Sequence, residues 1–379
     1  MSAFRKLKAL ALGHNTDMDH TAAQLQAAAV PLSDAPCRGC ADPCDEGHDE
    51  YPKFDVDMET EMLGSVKPYA RQIVISTGKT DWVREVTDAR GTLAAYVDEL
   101  SSASRPPKDK DSPKKPKDQP AAPAPASNGN NASANGVPHV HGLFDSDNLQ
   151  KNKRVTILNG SHRTVCDDAD KETVLVFPDY KVVTEVARSH EGAEHLWTHA
   201  VSPSVGLHAV PAGETEVRSW IIPYSCVILL CSHKRRDNRC AIAAPKLEHS
   251  LTLALEREGW EVHTQLDDPS MHGPPLESLP GSADEQHAAV LAQLKAAHAD
   301  HAEHKRALIL FCSHIGGHKY AGNVIINTPR GVSVWYGRVT PHEVDAIVRE
   351  TIIGGKILPQ LLRGGLNLSY PGHKSLNDW

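Results

Sequence analysis

The segment Cys231–Cys240, with the sequence Cys-Ser-His-Lys-Arg-Arg-Asp-Asn-Arg-Cys, constrains this chain more than any other stretch. It follows four apolar residues, 227–230, that are typical of a buried strand. A second apolar run, 308–311, leads in the same way into Cys312-Ser-His314-Ile-Gly-Gly-His318. Each of two strand ends therefore carries metal-binding side chains, and we expect the two clusters to meet around one metal centre.

The candidate ligands in these clusters are two thiols and two imidazoles, namely Cys231, Cys240, His314 and His318. Thiolate and neutral imidazole suit zinc, copper and iron-sulfur centres, and they suit magnesium or calcium poorly. The Gly316-Gly317 pair permits the tight turn that directs both imidazoles toward one site. Because 73 residues separate Cys240 from His314, a zinc finger, with about 12 residues between its ligand pairs, is excluded.

Ligand spacing leaves two interpretations of this centre open. A [2Fe-2S] cluster held by two thiolates and two imidazoles would carry less negative charge than an all-cysteine cluster and would be easier to reduce. A structural Cys2His2 zinc site would have tetrahedral geometry and no redox role. His233 and Cys312 complicate the choice, since each lies next to a predicted ligand.

Hydrophobic periodicity predicts an α/β protein built from two thioredoxin-like domains. The first domain covers residues 65–222, and within it we predict strands over 71–77, 154–158 and 173–177 and helices over 93–100 and 182–197. The second domain covers residues 223–363 and carries the metal centre. Its helices are expected over 241–258 and from Pro341, where Thr340 and Glu343 form a capping box.

Three further segments lack sustained periodicity. Residues 1–64 read as a flexible, cysteine-containing N-terminal segment, and residues 364–379 form a tail. Residues 104–148 are rich in Pro, Lys, Asp, Ala, Ser, Asn and Gly, so they are predicted to be a disordered insertion in the first domain.

The N-terminal segment contains Cys37-Arg-Gly-Cys40-Ala-Asp-Pro-Cys44, whose spacing occurs in small zinc and iron-sulfur sites. A fourth ligand is not evident from the sequence, although His48 is close. The alternative is a flexible tail that carries thiols without a metal. The clustering of all eight cysteines favours metal or redox chemistry in a reducing compartment over a disulfide framework.

Charge and hydropathy limit the classes of partner. The formal net charge of −8 argues against a general nucleic-acid binder. No run approaches the roughly 18 consecutive apolar residues of a membrane span. The basic start of the chain permits a mitochondrial transit peptide as an alternative to the cytoplasm.

The sequence also resembles the sucrase/ferredoxin-like proteins of fungi and plants. The resemblance is carried by Cys-Ser-His-x5-Arg-Cys, by Ser-His-Ile-Gly-Gly-His-Lys-x-Ala-Gly-Asn-Val, and by the segments Lys67–Tyr69, Thr77–Trp82 and Trp335–Pro341. It implies a thioredoxin-like ferredoxin in which Cys231, Cys240, His314 and His318 hold a [2Fe-2S] cluster, rather than zinc. The implied function is electron transfer to or from a redox partner protein, with no catalytic residues of its own.

Residues Leu376-Asn-Asp-Trp379 resemble the C-terminal Trp signal by which some proteins meet the cytosolic iron-sulfur targeting machinery. That resemblance implies a cytoplasmic protein and a partner in cluster assembly. The alternative is a tail whose Trp379 packs on the domain. The basic residues between Cys231 and Cys240 are either a docking edge for an acidic redox partner or a solvated loop.

Overall fold

The computed structural model describes residues 14–41, 44, 48, 54–104, 138–145, 154–210, 216–303 and 305–379. Residues 105–137 and 146–148 of the predicted insertion, and residues 1–13 of the predicted N-terminal segment, lie outside these ranges. Within the described ranges, no helix has the length and apolar character needed to cross a lipid bilayer.

The described part of the chain contains twelve strands in one mixed sheet, which makes it an α/β protein. The strands are β1 Arg71–Ser76, β2 Leu143–Phe144, β3 Val155–Gly160, β4 Lys171–Phe177, β5 Lys181–Ala187, β6 Arg218–Ile221, β7 Cys226–Cys231, β8 Glu261–His263, β9 Arg306–Cys312, β10 Val324–Asn327, β11 Ser333–Tyr336 and β12 Leu362–Leu366. The α-helices are α1 His14–Ala27, α2 Leu93–Ala103, α3 His190–Leu196, α4 Asn238–Arg257, α5 Ala283–Ala297 and α6 Pro341–Ala346. Wider π-helical turns continue α3 over Trp197–Val201 and α6 over Ile347–Ile353.

The two halves of the chain meet within this sheet. The strand order is β2-β12-β11-β10-β7-β9-β3-β1-β4-β5-β6, and β8 pairs with β9 beside this path. The junction is the antiparallel contact of β3 with β9, where Gly160 lies opposite Cys312. The sheet is therefore continuous across the boundary at residue 223, and the division into two thioredoxin-like domains stays a prediction.

Strand β7 is buried on both faces, as expected for an interior strand. Ile228 and Leu230 join the core beneath α4, whereas Val227 and Leu229 point to the opposite face of the sheet. The second core also contains Leu158 of β3, so one hydrophobic cluster includes side chains from both halves of the chain. A third cluster lies under α2 and α3.

Two predictions about secondary structure are wrong. The helix expected over 182–197 is a strand over Lys181–Ala187 followed by the short helix α3. The valines of β5 are fully buried between β4 and β6, and their β-branched side chains suit this pleated surface better than a helix. Residues 138–145 of the predicted insertion are also ordered, because β2 pairs in parallel with β12 and Val140 is buried.

The C-terminal helix was predicted correctly. The Thr340 and Glu343 side chains form both halves of the capping box, and Pro341 occupies the first turn. Helix α4 begins at Asn238, three residues before the predicted start, with the Asp237 side chain as its N-cap. Cys240 therefore lies in the first turn of α4, whereas Cys231 is the last residue of β7.

Candidate metal centre

The parallel pairing of β7 with β9 brings the two predicted ligand clusters to one edge of the sheet. Cys231 and Cys312 are register partners at the ends of these strands. The loop after β9 carries His314 and His318, and the loop after β7 leads into α4 and Cys240. Strands that end side by side place their following loops side by side, which is why 73 intervening residues do not separate the ligands in space.

Cys231 and Cys240 form a buried pair of thiols. Their exposed fractions are 2% and 1%. The Cys240 thiol holds the pKa of Cys231 well below its usual range, and His314 acts in the same direction against the effect of burial. The pKa of Cys240 is raised by Cys231 and by burial. The Cys231 thiolate is thus favoured beside a protonated Cys240, and the N-terminus of α4 also favours negative charge at this place.

The two imidazoles are less buried than the thiol pair. His314 is half-buried and His318 is exposed, with their ring centroids 5.6 Å apart and the rings tilted by 35°. Gly316 and Gly317 both adopt left-handed backbone conformations, with φ of 82° and 68°, as the tight turn predicted between the histidines requires. His314 Nδ1 is buried and makes no hydrogen bond to any described residue, so it remains available to a metal.

His233 and Cys312, the two residues that compete for a ligand role, have other functions. His233 Nε2 donates to the carbonyl of Trp82 at 2.9 Å, and its Nδ1 accepts the backbone N–H of His314 at 3.2 Å. Both ring nitrogens are thus engaged in positioning the histidine loop. Burial and the nearby Cys231 raise the pKa of Cys312 well above its usual range, so Cys312 stays a protonated thiol.

Arg363 is the main functional candidate that the sequence did not reveal. Its guanidinium is buried beneath the histidine loop, where it donates to the Gly316 carbonyl at 3.2 Å and to Asn323 Oδ1 at 2.7 Å. A Cβ atom at position 317 would clash with an Arg363 nitrogen, which explains why residue 317 is a glycine. Arg363 follows the site by 45 residues in sequence without a local motif, so only the pairing of β12 with β11 identifies it.

The charge on Arg363 is part of the site. Burial lowers its pKa to about 10, and the thiols of Cys231 and Cys240 oppose that decrease. A guanidinium with this pKa is protonated at neutral pH. The centre therefore has a fixed, buried positive charge beneath its histidine loop.

The first half of the chain supports the site through the segment Thr77–Trp82. Ser232 Oγ donates to the Thr80 carbonyl at 3.0 Å, and the Asp81 carboxylate accepts the backbone N–H of Arg235 at 3.1 Å. Trp82 also packs edge-on against His233, with ring centroids 5.8 Å apart. The segment Thr77–Trp82 thus holds the loop between Cys231 and Cys240 in place.

The basic loop is less positive than its sequence suggests. Arg235 and Arg236 pair with Asp81 and Glu85, and Arg239 pairs with Asp237. Lys234 is exposed, and no ion pair to another described residue is seen for it. Most of the charge in this loop is therefore used to fix the loop against neighbouring segments, which weakens its interpretation as an electrostatic docking edge.

The donor atoms of the strand-end residues are not gathered as they would be around one ion. Tetrahedral zinc, with bonds of about 2.0–2.3 Å, brings all four donors within roughly 4 Å of one another. Among the described residues, the group whose donor atoms all lie within 4.8 Å of one another is a different one, Cys40, Cys44, His48 and His342. The strand-end set instead consists of a buried cysteine pair and a more exposed histidine pair.

A cavity of about 500 Å³ reaches the histidine loop from the first half of the chain. Its lining includes His314, Gly317 and Trp335 together with the charged residues Lys67, Asp98 and Arg154. Tyr69 also lines the cavity, and its hydroxyl accepts the indole N–H of Trp335 at 3.1 Å. The site is thus open to a small molecule as well as to a protein surface.

Comparison with known proteins gives one consistent result. The family model described as "Sucrase/ferredoxin-like" matches residues 62–364. Two relatives named "Altered inheritance of mitochondria protein 32" are similar: the Clavispora lusitaniae protein is 29% identical over 209 residues, which cover 52% of this chain and 60% of the relative. The Debaryomyces hansenii protein is 32% identical over 210 residues, which cover 51% of this chain and 60% of the relative.

A third relative, "Actin patches distal protein 1" of Saccharomyces cerevisiae, is 29% identical over 128 residues, which cover 33% of this chain and 29% of that protein. The chain thus matches 60% or less of the length of these relatives. No solved structure matches the chain. Because the family model spans both halves of the sheet and all four strand-end residues, the chain belongs to the sucrase/ferredoxin-like family.

Proposed function

We propose that this protein transfers electrons through a [2Fe-2S] cluster bound by Cys231, Cys240, His314 and His318. The arrangement of the donors in two pairs is the observation that carries the proposal. A two-iron cluster places two ligands on each iron, and two histidines can serve one of the irons. A buried thiol pair beside a more exposed imidazole pair fits that division better than it fits a single tetrahedral ion.

The bound cluster would supply a one-electron couple, and the surrounding residues suit that use. The buried Arg363 charge favours addition of negative charge to the centre. If His318 held the cluster, its second ring nitrogen could exchange a proton with water, because this side chain is exposed. We infer that a redox partner would dock on the histidine side, where the candidate ligands are least buried.

The decisive experiment is an absorption and electron paramagnetic resonance study of anaerobically purified protein, with iron and sulfide quantified. We expect about two iron atoms and two sulfides per chain and a rhombic signal after reduction. The alternative is a zinc-stabilised Cys2His2 adaptor without redox activity. A colourless protein whose zinc disappears in the variant Cys231→Ser would establish that alternative and refute the cluster.

The second half of the chain is the proposed thioredoxin-like ferredoxin domain. Its order of β7, α4, β8, α5, β9, β10, β11 and α6 supports this reading, since the site lies after parallel strands at the carboxyl edge of the sheet. We propose likewise that residues 65–222 form a second thioredoxin-like domain, in which β1 pairs in parallel with β3 and antiparallel with β4.

The cavity favours a second candidate function, an oxidoreductase that acts on a small molecule. His314 lines this cavity, so a bound substrate would lie beside a proposed cluster ligand. The lining contains Lys67 and Arg154 against the single carboxylate of Asp98, and this balance would favour an anionic substrate. A screen of small anionic oxidants for reoxidation of the reduced protein distinguishes this function from transfer to a protein partner.

Cellular location and partners are further proposals. The relatives named for mitochondrial inheritance support the mitochondrial alternative, whereas the resemblance of Leu376–Trp379 to a targeting signal supports the cytosol. In the structure, Leu376 and Asn377 are buried, and Trp379 is 41% exposed with its ring against His298. Fractionation combined with the variant Trp379→Ala tests both: a cytosolic client of the assembly machinery should lose iron in that variant.

A further inference from the structure

The N-terminal segment is fastened to the last helical region of the fold. Leu32 forms a parallel bridge with Ile357, and the backbone N–H of Ser33 donates to the Ile357 carbonyl at 2.9 Å. Ser33 Oγ donates to Glu350 at 2.7 Å. Arg38 then forms an ion pair with Glu343, the capping-box residue of α6. Cys40 is thereby placed beside His342, in the first turn of α6.

Four metal-binding side chains converge at this place. They are Cys40, Cys44 and His48 of the segment and His342 of α6, and their donor atoms all lie within 4.8 Å of one another. Cys40 Sγ is 3.2 Å from His342 Nδ1, and the rings of His48 and His342 are 5.3 Å apart and nearly perpendicular. All four residues are half-buried. This close approach brings the four donors toward the positions they would hold around one ion.

We propose that Cys40, Cys44, His48 and His342 form a structural zinc site, separate from the strand-end centre. Two thiolates and two imidazoles at this spacing match the ligand set and the compactness of a closed tetrahedral Cys2His2 site. Two thiolates neutralise the ion, so the site adds no net positive charge to the N-terminus of α6, where positive charge is unfavourable. The three ligands of the N-terminal segment have the spacing Cys-x3-Cys-x3-His, and His342 of α6 supplies the fourth ligand.

Cys37, which the sequence groups with Cys40 and Cys44, is not part of this site. Its thiol donates to Gln360 Oε1 at 3.3 Å, and burial raises its pKa to about 11. His342 takes the place that the sequence pattern left open. The bound ion would therefore join the N-terminal segment to a helix almost 300 residues away in the chain and fix the segment against α6.

Metal analysis of the full chain tests the site directly. The protein is produced with added zinc, and zinc and iron are quantified in the wild type and in Cys40→Ser/Cys44→Ser, His342→Gln and Cys37→Ser. We expect about one zinc per chain in the wild type and in Cys37→Ser, which is the matched control. The double variant should lose the zinc, His342→Gln should hold it more weakly, and iron and visible absorption should not change.

Trypsin cleavage after Arg38 provides a second measurement on the folded protein. Arg38 precedes Gly39 within the segment, whereas Arg90 precedes Gly91 in an exposed loop of the first half and serves as the internal control. Removal of zinc with a strong chelator should accelerate cleavage after Arg38 by roughly tenfold or more and leave cleavage after Arg90 unchanged. Equal acceleration at both positions would show general unfolding. It would contradict the proposal that the zinc ion fixes the N-terminal segment against α6.

Two results would overturn the site itself. One is a wild-type protein without zinc after production in its presence, including one that carries a Cys40–Cys44 disulfide. The other is zinc that persists in the double variant. Because zinc and iron are counted separately, failure of this site and failure of the [2Fe-2S] proposal are distinguishable.

Discussion

The strand-end group and the N-terminal group contain the same ligand types, two cysteines and two histidines, but the fold presents them differently. In the strand-end group, the thiols are buried at the end of β7 and in the first turn of α4, and the histidines lie on a separate loop toward solvent. In the N-terminal group, all four donors are half-buried and lie within 4.8 Å of one another. The same four ligand types therefore occur in two different geometries within one chain.

The surroundings of the two groups differ as well. The strand-end group has the buried Arg363 charge and the positioning residue His233 behind it. The N-terminal group lies between an irregular segment and a helix terminus, where a metal ion would contribute mainly a crosslink. This difference in donor spacing and buried charge supports the proposals of a redox centre for the strand-end group and of structural zinc for the N-terminal group.

The largest expected effect comes from Cys231→Ser/Cys240→Ser. This variant should lose iron and visible absorption completely, because two of the four proposed cluster ligands are gone. Its zinc content should equal that of the wild type, in contrast to Cys40→Ser/Cys44→Ser. Loss of both metals in either double variant would mean that the two groups are not independent, and the comparison would fail.

His314→Cys should lower the reduction potential by about 200 mV, or about 5 kcal/mol for one electron. A third thiolate adds negative charge to the oxidised centre and makes reduction less favourable. The pH dependence of the potential should also weaken, since one imidazole is lost. Protein-film voltammetry between pH 6 and pH 9 measures both quantities, and an unchanged potential with unchanged slope would remove His314 from the ligands.

His162 contributes to the acid sensitivity of the fold independently of either metal group, so its effect must be separated from acid effects at those groups. Its ring is fully buried, and burial lowers its pKa to about 4. The unfolded state binds the proton more readily, with a pKa near 6.5, so stability present above pH 6.5 is lost as pH falls. By pH 5 the loss should reach about 2 kcal/mol.

The variant His162→Leu removes the titrating imidazole and replaces it with an apolar side chain of similar size. Thermal melting of both proteins at pH 7.5 and pH 5 gives the difference, in which common contributions cancel. We expect the wild type to lose more stability than His162→Leu over this interval. Equal losses would show that His162 is solvated or protonated in the folded protein.

The smallest predicted effect concerns the Arg363 charge. Arg363→Gln should lower the reduction potential by tens of millivolts, because the centre loses a buried positive charge that favours the added electron. Arg363→Lys keeps the charge but lacks the fork that bonds Gly316 and Asn323, so its potential should remain closer to that of the wild type. Equal shifts in both variants would indicate that Arg363 acts by holding the histidine loop rather than through its charge.

Local sequence signals predicted much of the candidate site. The apolar runs before Cys231 and Cys312 indicated the strands, the Gly-Gly pair indicated the turn, and the capping box of Thr340 indicated the last helix, all of which the structure contains. The predicted helix over 182–197 was wrong because its valines fit a buried strand as well as a helix face. Such short apolar runs are ambiguous until the neighbouring strands are known.

The sequence by itself determined the ligand types, their placement after strands and the family, since these depend on local composition and motif. Only the tertiary structure decided that His342 completes the group of Cys40, Cys44 and His48, and that Arg363 lies under the histidine loop. It also decided that the strand-end donors stand as two pairs, whereas the N-terminal donors converge. The physical reason is that a metal responds to distances between donor atoms and to buried charge, and both are set by chain segments far apart in sequence.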